Sequence, residues 1–203
     1  MSNNLLPESK VEIAKASLYN MIRSVIETFP REATGDLFGF HEQDSLIVTN
    51  AYPLITSKRA PTTVGYGNKN ARVRLRKLEG ALANGNGHTI RIGGYHSHIG
   101  REMSCELTKL DTDFISEEFE DSRFQDKSWL EVLLHIRREK YQRPIDPKVI
   151  FRQYAKKLYI LVRDEPYQGY AITLATFKVR KDGHVQEHPL RLRTFMRRQT
   201  NLK

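Results

Sequence analysis

The chain has 203 residues, 39% apolar and 28% charged, with no apolar run long enough to span a bilayer, which excludes both a helical membrane protein and a disordered chain. Lys and Arg outnumber Asp and Glu by 33 to 24, a net charge of +9 that attracts anionic partners without naming them. A lone cysteine, Cys105, cannot form an internal disulfide, and the opening MSNNLLPESK lacks the blocks of a secretory leader, so a cytoplasmic protein without a membrane segment is expected.

The first periodic stretch, residues 11–29, spaces Ile13, Leu18, Ile22, Val25, Ile26 and Phe29 mostly three or four apart, which predicts an amphipathic helix closed by Pro30. TGDLFGF and SLIVTNAYPLI, separated by the polar HEQD, read as a strand hairpin. A loop rich in Pro, Gly and Asn follows, with a short strand at TTVGY, and ARVRLRKLEGALA (71–83) reads as a second helix ended by NGNG. HTIRIGGYHSH is β-branched and alternating, a strand running into His96 and His98. Beyond Asp111 the chain reads as helix to about Glu120, and DKSWLEVLLHIRREKY as a further amphipathic helix broken at RPIDP. KLYILVRD and GYAITLATFKV are strands, and HVQEHPLRL a third. With no repeat and no long linker, the pattern describes a single α/β domain over 1–203.

Chemistry concentrates between Gly93 and Ile115. His96 and His98 stand at i and i+2 of a strand, so both imidazoles project from one face, as two ligands of one zinc do. An isolated H-x-H is more often two polar residues on a wet strand face. In TKLD, Thr108 as N-cap and Asp111 at the third helical position form a capping box, which also directs the Asp111 carboxylate. His96, His98 and Asp111 leave a fourth tetrahedral position for water, the layout of a catalytic zinc. Glu32 carries no signal by itself.

Three stretches together resemble the JAMM or MPN+ metalloprotease family. REATGDLFGF resembles its E-x-x-G-x-L-x-G motif, GGYHSHIG its G-W-Y-H-S-H-P-G, and CELTKLD the C-W-L-S-G-I-D of the proteasome-lid deubiquitinase and its signalosome relative. The resemblance covers residues 11 to 119 and implies the MPN, cytidine-deaminase-like fold: a central mixed sheet flanked by helices. It implies zinc on His96, His98 and Asp111, Glu32 as general base and then general acid, and a Thr108 hydroxyl that helps hold the oxyanion. The activity implied is removal of ubiquitin or a ubiquitin-like modifier from lysine.

The chain departs from these motifs in several places. Thr108 replaces serine, Ile99 replaces proline, and two extra residues lie between His98 and Cys105, so the loop must bulge to bring Asp111 to the metal. Glu102, Glu106 and Asp113 are alternative oxygen ligands, and Cys105 is expected to pack rather than ligate. Residues 124–154 read as a helical insertion whose apolar face, Trp129, Leu130, Leu133 and Ile136, offers a docking surface for a protein partner or caps the sheet. The basic tail 187–203 and the basic runs keep two other readings open: a non-catalytic scaffold of the same fold, and a nucleic-acid-associated protein.

Overall fold

The computed structural model describes residues 10–54, 58–59, 64–65, 73–74, 77, 90–100, 105–119 and 128–193. A short strand β1 (Lys10–Ala14) leads into helix α1 (Lys15–Thr28), followed by the hairpin β2 (Thr34–Glu42) and β3 (Ser45–Pro53). A minor pair, β4 (Lys58–Arg59) and β5 (Val64–Gly65), precedes β6 (Ile90–Ile99) and helix α2 (Lys109–Glu118). The second half is strand throughout: β7 (Ser128–Lys140), β8 (Lys148–Tyr154), β9 (Lys157–Glu165), β10 (Gln168–Arg180), β11 (Val185–His188) and β12 (Leu190–Arg193).

The main sheet runs in the order β12-β1-β3-β2-β6-β7-β10-β9-β8, with β11 paired to β10. It curls into a half-barrel. The Gln153 side chain of β8 donates to the Leu190 carbonyl of β12, joining elements from opposite ends of the strand order. Leu18, Met21 and Val25 of α1 join Tyr95, Val132, Leu134, Ile160 and Ile172 in the main core. The opposite face carries two smaller clusters, one around Cys105, Leu133 and Phe177 and one around Ile115, Trp129 and Val179.

This architecture corrects the α/β reading. The molecule is mostly strand, and the helix-flanked sheet of the MPN fold is not what the chain forms. The largest single error lies in residues 128–140, read as an amphipathic helix and found as β7 at the centre of the sheet. Parallel to β6 and antiparallel to β10, β7 buries both faces, and a strand covered on both sides loses its alternation and reads as a continuous apolar run. Trp129, Leu130, Leu133 and Ile136 also satisfy helical spacing, so periodicity could not arbitrate. All four are core residues, so the docking face expected on a helical insertion is not exposed, and Lys148–Tyr154 is strand as well.

Smaller differences have the same origin. Residues 10–14 are a strand held between β3 and β12, both parallel to it, and the helix begins only at Lys15. Of the second expected helix, Val73, Arg74 and Lys77 are helical and the rest lies outside the described residues, as does most of the loop before it. The expected basic tail begins within β11, and residues 187–188 and 190–193 are sheet; residues 194–203 lie outside the described set. The β2–β3 hairpin, the strand into the histidines, the helix after Thr108 and the late strands stand where they were expected. No helix among the described residues is long and apolar enough to cross a membrane.

Cys105 is sealed against β7 and β10, its thiol donating to the carbonyls of Leu133 at 3.3 Å and Thr173 at 3.7 Å. Burial pushes that thiol up to about 12, so at neutral pH it holds its proton and offers no thiolate. The folded protein is therefore expected to resist a chromogenic disulfide reagent and to react only once denaturant opens the outer cluster. Rapid stoichiometric labelling of the folded chain would show that Cys105 is not sealed.

Candidate metal centre

The parallel pair β6 and β7 requires a crossover, and α2 lies on it. Its first turn is thereby delivered beside the carboxyl end of β6, where His96 and His98 sit. The capping box read from TKLD is formed: the Asp111 amide donates to Thr108 Oγ1 at 3.3 Å and the Thr108 amide to Asp111 Oδ2 at 2.6 Å. Thr108 Oγ1 donates to the same Oδ2 at 2.7 Å. The cap therefore aims the carboxylate as well as starting the helix.

Asp111 Oδ1 lies 3.2 Å from His96 Nε2, Asp111 Oδ2 3.3 Å from His98 Nε2, and the two Nε2 atoms 3.1 Å apart. These three residues can hold a metal ion. Donors bonded at about 2.0–2.1 Å to a tetrahedral zinc stand roughly 3.3–3.4 Å from one another; the two imidazole nitrogens stand near that spacing, and each meets a different oxygen of the Asp111 carboxylate, so a shared ion would draw one of those oxygens toward both rings. Two imidazoles and one carboxylate also suit zinc by ligand chemistry. Glu106 and Asp113 are exposed and outside this group, and Glu102 lies outside the described residues. The two extra residues after His98 do not keep Asp111 from the histidines.

Charge in the cluster favours a cation. Burial opposes protonation of His96, but the carboxylates of Asp111 and Glu131 outweigh it and hold the imidazole up to about 10. Burial likewise works against ionisation of Asp111, and hydrogen bonds from His96 and His98 overcome it, holding that carboxyl well below the usual carboxylate range.

Glu32 arrives from the other neighbour of β6. Thr34 of β2 is the register partner of His96, the Ala33 amide donates to Ser97 Oγ at 2.8 Å, and the Ser97 amide donates back to the Ala33 carbonyl at 3.0 Å. These bonds fix the residue before Ala33 beside the histidine strand. Glu32 is 5% exposed, and burial raises its carboxyl to about 7 against the opposing pull of His98 and His96. It lines a cavity of about 290 Å³ together with His96, Asp111, Arg91, Leu110 and Trp129. All five residues singled out in the sequence, Glu32, His96, His98, Thr108 and Asp111, thus meet in one place.

The sequence reading missed the support beneath them. Arg91 of β6 pairs with Asp36 of β2 at 2.5 Å and with Glu118 of α2 at 3.0 Å, all three side chains at most 9% exposed. Helix α2 is therefore pinned at both ends, by Asp111 at its start and by Glu118 at its finish. Arg91 also lies 4.9 Å from the centroid of the Trp129 ring. Beside it, Glu131 accepts from His96 Nδ1 at 2.7 Å. The available signal was a glutamate inside the apolar run WLEVLL, since a charge buried in a strand needs a partner.

Comparison with protein-family profiles and with curated proteins returned no match. Among solved structures, the chain is similar to the solution structure of protein DSY2949 from Desulfitobacterium hafniense, at 18% identity and a TM-score of 0.53, covering 93% of this chain and 97% of that one. That likeness concerns the fold alone.

Proposed function

We propose that the chain is a zinc-dependent isopeptidase of the JAMM type, which hydrolyses the amide between the C-terminus of ubiquitin or a ubiquitin-like modifier and a lysine. The observation that carries this reading is the convergence of His96, His98 and Asp111 closely enough to share one ion, with the buried Glu32 carboxyl in a cavity that His96 and Asp111 also line. The three motif resemblances support it in their order along the chain. A lone, unbridged Cys105 suits a cytoplasmic setting.

His96, His98 and Asp111 would hold the zinc, which would supply a Lewis acid for the scissile carbonyl and acidify a water. The Glu32 carboxylate takes a proton from the attacking water and passes it to the leaving lysine nitrogen as the C–N bond breaks. The Thr108 hydroxyl, engaged by Asp111 when no substrate is present, turns toward the developing oxyanion. Its added methyl stiffens χ1 relative to serine, which restricts that movement.

The test is metal content together with cleavage. Purified protein is expected to carry stoichiometric zinc and to cut ubiquitin dimers or C-terminal fusions of a sulfur-carrier protein, with activity lost to a chelator and restored by zinc. A folded protein that takes up no zinc would overturn the reading and leave a non-catalytic scaffold.

A further inference from the structure

We infer that Glu131 and Trp129 form a positioning device for the metal centre, in which Glu131 holds the His96 ring by its Nδ1 proton so that the Nε2 lone pair faces the ion. This rests on the zinc reading of the site above. Both carboxylate oxygens of Glu131 are engaged inside the protein. Oε1 accepts from His96 Nδ1 at 2.7 Å, and Oε2 accepts from Trp129 Nε1 at 2.6 Å. Glu131 is 4% exposed and Trp129 2%, so no solvent competes for either bond. A neutral imidazole that donates from Nδ1 to a carboxylate presents its other nitrogen as an acceptor, with its tautomer and ring angle fixed, so from the protonated ring the ion need displace only the Nε2 proton.

The backbone makes room for this arrangement at Gly94. Gly94 and Glu131 are register partners on parallel strands, so their side chains would share one face of the sheet. A Cβ at position 94 would stand 2.9 Å from Trp129 Cζ2 and 3.4 Å from Glu131 Oε2. The bare Cα therefore admits an indole and a carboxylate directly beside His96. The metalloprotease motif that this stretch resembles has tryptophan at that position, whereas here the indole comes from the next strand. Gly94, Trp129 and Glu131 are consequently one unit, spread over two strands and absent from any short motif.

A glutamine at 131 has the shape of glutamate but only one accepting oxygen for two donors. Glu131→Gln must therefore leave either His96 or Trp129 facing an amide NH2. We expect zinc affinity, measured by competition with a chromogenic chelator, to fall about 10–100-fold in Glu131→Gln. Trp129→Phe, which keeps the ring and removes the donor, should give a smaller loss, and Gly94→Ala a loss through displacement of the indole. Long-range 1H–15N correlation of the imidazoles should show His96 protonated at Nδ1 in the zinc-loaded wild type, with that signature disturbed in Glu131→Gln.

Zinc binding by Glu131→Gln within twofold of wild type, with the His96 signature unchanged, would overturn the inference while leaving the hydrolase reading intact. A wild-type chain that binds no zinc would sink the hydrolase reading instead. The apo spectra would then still decide the part that needs no metal, that Glu131 holds the Nδ1 proton: loss of that proton's hydrogen-bonded signal in Glu131→Gln supports that part, and its persistence refutes the inference. Far-UV circular dichroism identifies any variant that fails to fold, in which case Trp129→Phe and Gly94→Ala carry the test.

Discussion

On the hydrolase reading proposed above, Glu32→Gln is expected to lower turnover by about 10²–10⁴-fold while leaving zinc content unchanged. The two effects separate because Glu32 lies outside the group of His96, His98 and Asp111 yet lines the cavity that His96 and Asp111 also line. Glutamine fills the same volume and can hydrogen-bond, but it cannot accept and return a proton. A loss of that size corresponds to roughly 2.7–5.4 kcal/mol of transition-state stabilisation, the scale of a positioned general acid and base. Folding should be little affected, since burial already raises the Glu32 carboxyl to about 7 and the substitution exchanges it for a neutral amide. The measurement pairs steady-state cleavage with elemental analysis of one preparation. A Glu32→Gln protein that turns over at the wild-type rate would remove Glu32 from the mechanism.

Arg91→Met is expected to have the largest effect on stability. Arg91 is shared by two buried carboxylates, Asp36 at 2.5 Å and Glu118 at 3.0 Å, and its guanidinium lies over Trp129. Methionine removes the cation and leaves Asp36, 6% exposed, and Glu118, fully buried, without its charge. Breaking a buried pair on one side costs about 3–5 kcal/mol, because the remaining charge stays desolvated. For a chain of this size that is a fall in Tm of roughly 6–20 °C. Chemical denaturation should show the loss directly, and replacing Glu118 in the same chain should recover part of it. Because α2 carries Asp111 at its first turn, zinc affinity should weaken along with stability. An Arg91→Met protein as stable as wild type would mean that Asp36 and Glu118 do not depend on this cation.

The geometry of the candidate site was more legible than the fold, for a physical reason. The features that mark the site are local: two histidines one residue apart on a strand, and a threonine three residues before an aspartate at a helix start. Strand alternation puts His96 and His98 on one face, and capping chemistry aims Asp111, so short segments dictate those geometries without help from the rest of the chain. The fold class depended on β7, whose apolar residues fit a helix and a doubly covered strand equally well. Only its neighbours β6 and β10 decide between them.

Glu32 needed the family resemblance, since nothing near it in the chain marks it. Glu131 needed the structure, because its partner His96 is 35 residues away and on a different strand. What the sequence determined by itself was local order: the β2–β3 hairpin, the strand ending in two histidines, and the capped turn that bears Asp111. The tertiary structure decided which strands became neighbours, and hence that Arg91, Trp129 and Glu131 would support the site from below. Pairing between strands depends on surfaces far apart in the chain becoming buried together, and that information is not carried by any single segment.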